Sequence, residues 1–403
     1  MVERGDIPAL LLGLWQTGID AVHPARSLPP HLPPDRPAGQ QVLFALGKAA
    51  ATMAAAAMQE IDFDAGLIIA PHGSACPPAP PGVPEHAWTR LTAGHPEPDE
   101  YSLAAGRKAL AFVEALSPQD RLVALISGGG SALMVAPRPG LSLADKIAAT
   151  RRLLASGAPI SAINRERAAM SLVKAGGLAR ASGTRDIKTI IMSDVPGDDP
   201  ALVASGPTIL SSSERRATVC ADAGMMLSAI AGAAEAAGLE VCNLGGAIEG
   251  DAVAIARDHG RMALAVRPGS RPLLIISGGE LTVTVRQELE RGGRNLTYAL
   301  ALAEAIDGRS EIFALAADSD GIDGNSPAAG AIVNGSSASA LRRAGLVPSH
   351  ELAKNRSFST LEAIGATITT GPTGVNVNDC RLIYVGRFSN DEAPQLLKPL
   401  RRE

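Results

Sequence analysis

The stretch LVALISGGGSALM at residues 122–134 carries the pattern that decides the fold. A short apolar run, too short for a helix, leads into a glycine-rich turn, and a helical stretch follows. The same pattern recurs at 42–58 (VLFALGKAAATMAAAAM), 187–200 (IKTIIMSDVPGDDP), 272–280 (PLLIISGGE) and 312–324 (IFALAADSDGIDG). Buried strands that alternate with helices are typical of α/β proteins with a mainly parallel sheet. The sequence therefore predicts an α/β fold.

The chain is long enough for two domains. Its 403 residues exceed the roughly 250–300 at which one hydrophobic core stops growing. Two similar turns, SGGG at 127–130 and SGGE at 277–280, each follow an apolar strand, one in each half of the chain. We predict an N-terminal α/β domain over 1–240 and a C-terminal α/β domain over 241–403, both with mainly parallel sheets flanked by helices. Such sheets bind ligands where turns leave the carboxyl ends of the strands.

The composition argues against several classes of protein. A net charge of −4 and an aromatic content of 3% are unfavourable for binding nucleic acid, which needs a basic surface and stacking groups. The cysteines are widely scattered, which argues against a disulfide framework or a zinc site. No apolar stretch reaches the roughly 18 residues of a membrane helix, and the N-terminus lacks a signal-peptide pattern. We expect a cytoplasmic protein with neither a nucleic-acid nor a membrane partner.

The turn SGGGS at 127–131 is a candidate anion-binding site. Gly128, Gly129 and Gly130 let the backbone approach an anion closely, and Ser127 and Ser131 add hydroxyl donors. The spacing matches neither G-x-x-x-x-G-K-[ST] nor G-x-G-x-x-G, so neither a Walker loop nor a dinucleotide fingerprint is indicated. The alternative is a glycine turn with a purely structural role.

Two charged residues follow other apolar runs. Lys48 begins a helix, where a positive charge opposes the helix dipole. A bound phosphate or carboxylate would offset that charge; the alternative is a solvated lysine whose stem packs on the strand. Asp194 leads the acidic loop SDVPGDD. Because Mg²⁺ usually takes one or two carboxylates beside waters and substrate phosphates, Asp194 is a candidate metal ligand, although aspartates in such loops also form turns.

The C-terminal half holds further polar motifs. Glu280, Arg286 and Arg294 could line one site, since arginine binds phosphate or carboxylate through its planar fork. The loop AADSDGIDG at 316–324 superficially resembles an EF-hand but lacks the glycine and glutamate that a calcium loop requires. Mg²⁺–nucleotide binding or turn formation is favoured there. Thr373 could donate to a phosphate or sugar oxygen.

Together these strings resemble the glycerate 2-kinase family, whose C-terminal part is called the MOFRL domain. The matching strings occur in the family's order and cover nearly the whole chain: GKAAATM (47–53), GHPEPDEYS (94–102), SGGGSALM (127–134), SDVPGDDPALVASGPT (193–208), SGGELTVTV (277–285), RGGRN (291–295), DSDGIDGNSPAAGA (318–331) and TGPTGVNVND (370–379). The resemblance implies an ATP- and Mg²⁺-dependent kinase that makes 2-phosphoglycerate from D-glycerate. It also implies two α/β domains with the active site in the cleft between them.

The motifs and the resemblance assign candidate roles. Lys48 and Lys174 are expected to supply positive charge for phosphate or transition state, and Asp194 to bind Mg²⁺ or to act as the base for the acceptor hydroxyl. The expected substrate-binding residues are Ser127, Gly128, Gly129, Gly130, Ser131, Arg286 and Arg294. The expected nucleotide-binding residues are Gly278, Gly279, Glu280, Asp318, Asp320, Thr373 and Asn376. The expected partners are ATP and a small hydroxy acid, and a homodimer is left open.

Two segments depart from the family's pattern. In 166–179 a Lys-His pair is replaced by Ala168 and Ala169 and an arginine by Gly177, and 286–297 lacks two glycines and a Gln-Glu pair whose second position holds Thr297. If these positions line the acid pocket, it should be roomier or less cationic, and a longer hydroxy acid should rival D-glycerate. The departures also leave open a non-catalytic relative that senses nucleotide or acid. Family members have often been labelled hydroxypyruvate reductase, which the missing dinucleotide fingerprint does not support.

Overall fold

The computed structural model describes residues 6–155, 166, 168–210, 217–267, 271–284 and 290–386. The chain forms two compact units. The N-terminal unit comprises His23–Asp222 with Gly374–Asn376, and the C-terminal unit comprises Met1–Val22, Ala223–Thr373 and Val377–Glu403. The division therefore falls at residue 222, not at the single boundary expected near 240.

The first helix, α1 (Ile7–Val22), belongs to the C-terminal unit although it begins the chain. It packs closely on a later helix of that unit, because a Cβ on Gly18 would lie 2.7 Å from Ile230 Cδ1. Its inward face includes Leu11, Leu14 and Trp15, which are all buried. Burial of this apolar face explains why a segment so remote in sequence joins the C-terminal unit.

The N-terminal unit contains one parallel sheet with the strand order β3-β2-β1-β4-β5-β6 among its described residues. Its strands are β1 (Gln41–Leu46), β2 (Ala65–Pro71), β3 (Trp88–Ala93), β4 (Arg121–Ser127), β5 (Asp186–Met192) and β6 (Ala217–Ala221). Its helices are α2 (Pro24–Ser27), α3 (Ala50–Glu60), α4 (Glu100–Glu114), α5 (Gly130–Leu133), α6 (Leu143–Ala155) and α7 (Gly177–Ala181), with short 3₁₀ turns at Pro29–His31, Glu85–Ala87 and Val203–Ser205.

The order of this sheet reverses between β1 and β4. From β1 the chain continues to β2 on one side, and from β4 it continues to β5 on the other. In open parallel sheets, ligands bind in the crevice that such a reversal leaves at the carboxyl ends of the two strands. Gly47 follows β1 and Gly128 follows β4, so the two turns singled out in the sequence meet at this point.

The C-terminal unit contains a mixed sheet with the order β13-β12-β11-β14-β9-β7, beside a two-stranded ladder of β8 and β10. Its strands are β7 (Glu240–Asn243), β8 (Gly250–Asp251), β9 (Leu273–Gly279), β10 (Leu281–Thr282), β11 (Ile312–Asp318), β12 (Gly330–Asn334), β13 (Thr367–Ile368) and β14 (Asp379–Val385). Its further helices are α8 (Ala223–Ala236), α9 (Ala252–Ala265), α10 (Arg294–Ala305), α11 (Ser337–Arg343), α12 (Pro348–Ala353) and α13 (Ser357–Glu362).

The larger sheet of the C-terminal unit is mainly antiparallel, which differs from the expected parallel arrangement. Only β7 and β9 pair in parallel among its described strands, whereas β14 pairs antiparallel with both β9 and β11. Every residue of β11 and β14 is buried. A continuous apolar run indicates that both faces of a strand are buried. It does not indicate whether the strand pairs parallel or antiparallel with its neighbours. Among the described helices of both units, none is long and apolar enough to cross a membrane.

Candidate active site

The turns after β1 and β4 are joined by hydrogen bonds. Lys48 N donates to Gly128 O at 2.9 Å, and Ala49 N donates to Ser127 Oγ at 3.0 Å. Gly47 has a φ of 126°, and a Cβ at this position would lie 2.2 Å from Ser127 Oγ. Only glycine allows the two turns to approach so closely. Ser127, expected to bind substrate, is fully buried, and its hydroxyl oxygen accepts the hydrogen bond from Ala49 N.

Asp194, two residues after the end of β5, lies directly against the glycine turn. A Cβ on Gly128 would lie 1.5 Å from Asp194 Oδ2 and 2.4 Å from Asn376 Nδ2. Asn376 Nδ2 donates to Asp194 Oδ2 at 2.9 Å, and Asn376 N donates to Met192 Sδ at 3.2 Å. Gly128 therefore leaves just enough room for a carboxylate and an amide to pack on the turn backbone. Asn376, expected among the nucleotide-binding residues, belongs to the same group as Asp194.

Gly129 is flanked by two further side chains. It has a φ of 81°, and a Cβ there would lie 3.0 Å from His95 Cδ2 and 3.1 Å from Lys48 Cγ. The stem of Lys48 thus runs beside the glycine turn. His95 is exposed and was not among the candidate residues, although the string GHPEPDEYS at 94–102 pointed to its segment.

Lys174 lies beside the end of the same turn. Its Nζ donates to Ser131 O at 3.0 Å and to Ser205 Oγ at 3.3 Å, and it also contacts Ser131 Oγ. The two serine hydroxyl oxygens are 3.1 Å apart. Lys174 is only 3% exposed, so its side chain lies inside the unit. Ser205 was missed by the sequence analysis, although it lies in the quoted string SDVPGDDPALVASGPT.

In the C-terminal unit, Arg294 begins α10 and pairs with several carboxylates. Its Nε donates to Asp379 Oδ1 at 2.8 Å, its Nη1 to Glu280 Oε1 at 2.7 Å and its Nη2 to Asp318 Oδ2 at 3.1 Å. Burial disfavours the charged guanidinium, but Asp379, Asp318 and Glu280 outweigh burial and raise the pKa of Arg294. The residue expected to hold substrate is therefore charged and donates to protein carboxylates.

Arg381, which the sequence analysis did not name, contacts the end of β9, because Ser277, Gly278 and Gly279, expected to form a turn, belong to this strand. Arg381 is 1% exposed. Its guanidinium donates to Ser277 Oγ at 3.3 Å and to Asp379 Oδ2 at 3.4 Å, and also bonds the carbonyl oxygens of Gly278 and Gly279. The sequence signal that could have identified Arg381 is its position within the otherwise apolar run CRLIYV, because a buried charge needs partners.

The aspartates at the end of β11 and in the loop after it make different hydrogen bonds. Asp323 accepts hydrogen bonds from Asn295 N at 3.0 Å and Leu296 N at 2.8 Å, which satisfies the first amides of α10. Burial raises the pKa of Asp323 to about 7 against those two backbone bonds. Asp320 N donates to Asp318 Oδ1 at 3.0 Å, and Asp320 Oδ1 accepts from Ile322 N at 2.8 Å. In the described ranges no three His, Cys, Asp or Glu side chains are grouped to hold a metal ion.

The structure thus sorts the expected site residues into two groups. The N-terminal unit holds Lys48, Ser127, Gly128, Gly129, Gly130, Ser131, Lys174, Asp194 and Asn376. The C-terminal unit holds Gly278, Gly279, Glu280, Arg294, Asp318, Asp320 and Thr373. Thr373 N donates to Asp320 O at 3.0 Å, and its hydroxyl donates to Ser319 O. Arg286 lies outside the described residues.

The positions expected to enlarge the acid pocket do not all suit that role. A Cβ on Gly177 would lie 2.1 Å from Leu172 O, so there is no space beside this glycine. Thr297 is 8% exposed on α10, where its hydroxyl lies 3.4 Å from Ser357 Oγ. The expected extra room is therefore absent at Gly177, and Thr297 packs within the C-terminal unit.

Comparisons with known proteins agree with this arrangement. Residues 10–231 match the family described as a domain of unknown function, DUF4147, and residues 273–379 match the MOFRL family. The D-glycerate 2-kinase of Thermotoga maritima is 32% identical to this chain, with 94% of this chain and 98% of the relative covered. The chain belongs to the glycerate 2-kinase family.

Other known proteins are similar to this chain over most of their length. A protein of Agrobacterium vitis named "Putative hydroxypyruvate reductase" is 41% identical, covering 88% of this chain and 89% of the relative. The glycerate kinase of Homo sapiens is 30% identical, covering 85% and 84% respectively. The crystal structure of the Thermotoga maritima glycerate kinase matches with a TM-score of 0.82 at 30% identity, covering 94% of this chain and 100% of that chain. The α/β fold with two parts is confirmed.

Proposed function

We propose that this protein is a kinase that transfers the γ-phosphoryl group of ATP, with Mg²⁺, to a hydroxyl group of D-glycerate or a closely related hydroxy acid. The observation that carries this proposal is the convergence of Lys48, Gly128–Gly130 and Asp194 where the strand order of the parallel sheet reverses. Relatives named glycerate kinases, which are 30–32% identical to this chain, support the same reaction.

Phosphoryl transfer needs little covalent chemistry from a protein. It needs the donor and acceptor to be aligned and the negative charge of the transferring group to be stabilised. In this proposal the phosphoryl oxygens approach the backbone of the glycine turn beside Asp194, whose packing on Gly128 a Cβ would prevent. Lys48, whose stem runs beside Gly129, supplies positive charge at the same turn.

Asp194 suits a site for Mg²⁺. Mg²⁺ prefers oxygen ligands and commonly takes one or two carboxylates together with phosphate oxygens and water. The amide of Asn376 holds the Asp194 carboxylate against the turn, which fixes its orientation. A bound Mg²⁺ would neutralise charge on the transferring group. Asp194 could equally accept the proton of the acceptor hydroxyl, and the two roles differ in their response to excess Mg²⁺.

We propose that the C-terminal unit contributes nucleotide-binding groups at the end of β9 and the loop after β11. Arg381 holds the carbonyl oxygens of Gly278 and Gly279, so the end of β9 has a fixed backbone. Arg294 donates to three protein carboxylates, and we propose that it organises these acidic groups around the nucleotide and its metal instead of binding the acid directly.

The test is a turnover assay with purified protein, ATP and Mg²⁺. D-Glycerate, tartronate, erythronate and threonate are supplied in turn, ADP release is measured, and the product is identified by phosphorus NMR. We expect ADP release that requires both an acid and Mg²⁺. The variant Lys48→Ala serves as the control for background hydrolysis. Wild-type activity no higher than this control with all four acids would contradict the proposal.

Two other outcomes would identify alternative functions. Calorimetric binding of ATP or an acid without turnover would favour a sensor, the hypothesis that the altered segments 166–179 and 286–297 left open. Saturable oxidation of NADH or NADPH with hydroxypyruvate would favour a reductase, the activity in the printed name of the Agrobacterium vitis relative.

A further inference from the structure

Three consecutive residues before Pro207 adopt left-handed backbone conformations. Ala204, Ser205 and Gly206 have φ values of 51°, 62° and 55°. Residues with a side chain rarely adopt this conformation, and it persists only where the surroundings hold it. Strained backbone of this kind concentrates at functional sites. The strained conformation of Ala204 and Ser205 therefore indicates that a contact of this segment depends on it.

A second left-handed segment faces the first. Ala175 and Gly176 have φ values of 48° and 75°. Ala175 N donates to Ser205 O at 2.8 Å, and Gly176 N donates to Gly206 O at 2.7 Å. The two left-handed segments are thus joined by a pair of backbone hydrogen bonds.

This pairing delivers two polar side chains to the glycine-rich turn. Lys174 directly precedes Ala175, and its Nζ donates to Ser131 O and to Ser205 Oγ. Ser205 Oγ lies 3.1 Å from Ser131 Oγ. The loop rests on the turn itself, because a Cβ on Gly130 would lie 2.8 Å from Ala204 Cβ. The strained backbone therefore brings one ammonium group and two hydroxyl groups together in a cluster.

The cluster has a defined polarity. An ammonium group has only donors, so the hydroxyl oxygens of Ser131 and Ser205 accept from Lys174, and one of the two hydroxyl groups donates its proton to the other. Hydrogen bonds in a chain polarise one another, most strongly where the local dielectric is low. Lys174 is 3% exposed, whereas Ser131 and Ser205 are half-buried. The hydroxyl groups, unlike the ammonium, are placed to meet a ligand.

We propose that Ser205 and Ser131 form a subsite for an anionic oxygen of the substrate, with Ser205 as a substrate-contacting residue and Lys174 as a positioning residue that polarises both hydroxyl groups. The inference rests on the proposed function and deepens it. Two groups could provide this anionic oxygen: the carboxylate of the hydroxy acid and the phosphoryl group. Lys174 then acts through the serines, whereas the sequence analysis expected it to meet the phosphate or transition state itself.

The test separates hydroxyl chemistry from backbone strain. Ser205→Gly removes the hydroxyl but relieves the left-handed conformation, whereas Ser205→Ala removes the hydroxyl and keeps the strain. Asn355→Gly relieves a left-handed residue in the C-terminal unit, with a φ of 55°, and is the matched control. Dissociation constants for D-glycerate and for inorganic phosphate are measured by calorimetry without nucleotide, beside the melting temperature and the KM values for ATP and D-glycerate.

We expect both Ser205 variants to weaken binding of D-glycerate about tenfold, as for one lost hydrogen bond to an anion, while the melting temperature of Ser205→Gly does not fall. Weaker phosphate binding with unchanged D-glycerate binding would support the subsite with the phosphoryl group as its ligand. Wild-type affinity for both anions in Ser205→Gly would overturn the subsite, and so would a wild-type protein that binds neither. Binding that depends on Ser205 without turnover would contradict the kinase function alone.

The role of Lys174 is tested by a double-mutant cycle. Lys174→Met and Ser205→Gly are compared singly and together for the affinity of the anion. If Lys174 acts through Ser205, the two losses are less than additive, because the second substitution removes an interaction that is already broken. Strictly additive losses would overturn the positioning role.

Discussion

Asn376 Nδ2 donates a hydrogen bond to Asp194 Oδ2 at 2.9 Å, although 182 positions separate the two residues in the chain. Asn376 is 2% exposed, so its side chain has little freedom to leave the carboxylate. Two residues earlier, a Cβ on Gly374 would lie 2.5 Å from Thr52 Oγ1. The segment Gly374–Asn376 is thus fitted closely into the N-terminal unit and completes its candidate site.

Replacing Asn376 with Asp should lower kcat by about 100-fold, because a second negative charge would face Asp194 in place of a donor. Asn376→Ala removes the donor without adding charge and should lower kcat by about tenfold, as expected for one hydrogen bond to a charged group. Steady-state kinetics and melting temperatures of both variants provide the measurement. Equal losses in kcat would argue against repulsion as the cause.

Lys48→Ala should lower kcat by about 100-fold or more if the ammonium stabilises charge on the transferring phosphoryl group. The fold should survive, since the bond from Lys48 N to Gly128 O belongs to the backbone. Lys108→Ala, at an exposed position on α4, is the matched control. Circular dichroism and kcat are measured for both. An unchanged kcat in Lys48→Ala would mean that this lysine is only a solvated side chain.

Asp194→Asn should abolish most of the activity, because the amide neither binds Mg²⁺ well nor accepts a proton. A titration with Mg²⁺ distinguishes the roles: recovery of activity at high Mg²⁺ indicates a metal ligand, and its failure to recover indicates a base. Asp62→Asn serves as the control, since the Asp62 side chain is 94% exposed. Wild-type kcat in Asp194→Asn at ordinary Mg²⁺ would exclude both roles.

His259 should make the protein sensitive to acid. Burial and the positive charge of Arg381 lower its pKa to about 4, with Asp258 opposing them, and its Nδ1 lies 2.8 Å from Tyr298 Oη. Because the folded pKa lies below the unfolded value of about 6.5, the contribution to stability is complete above pH 6.5 and is lost as the pH falls towards 4. The difference corresponds to about 3 kcal/mol.

Denaturant unfolding at pH 7, 5.5 and 4.5 measures this effect. His259→Gln keeps a polar partner for Tyr298 but does not titrate, so its free energy of unfolding should fall less between pH 7 and pH 4.5 than that of the wild type. The exposed His86, replaced in His86→Gln, is the matched control and should leave the pH dependence unchanged. Parallel losses in wild type and His259→Gln would show that other groups govern acid stability.

Some of the fold follows directly from local sequence. The apolar runs at 42–46 and 122–127, each followed by glycine, correspond to β1 and β4, because burial on both faces and a left-handed turn each influence which residues occur locally. The same runs bring Lys48 and Gly128–Gly130 to the ends of strands, where α/β sheets bind ligands. Strand direction leaves no such mark, so the antiparallel pairing of β14 with β9 and β11 was not predictable from the pattern.

What the sequence by itself determined is therefore the α/β class, the strand–turn positions and the residue types available for phosphoryl chemistry, since each depends on neighbours along the chain. Only the tertiary structure decided which polar groups meet. Asn376 contacts Asp194, Ser205 contacts Ser131 and Lys174, and Arg381 contacts the end of β9. Buried polar groups must find partners wherever the packed chain supplies them, and those partners lie from 31 to 182 positions apart, far beyond the range of any local pattern.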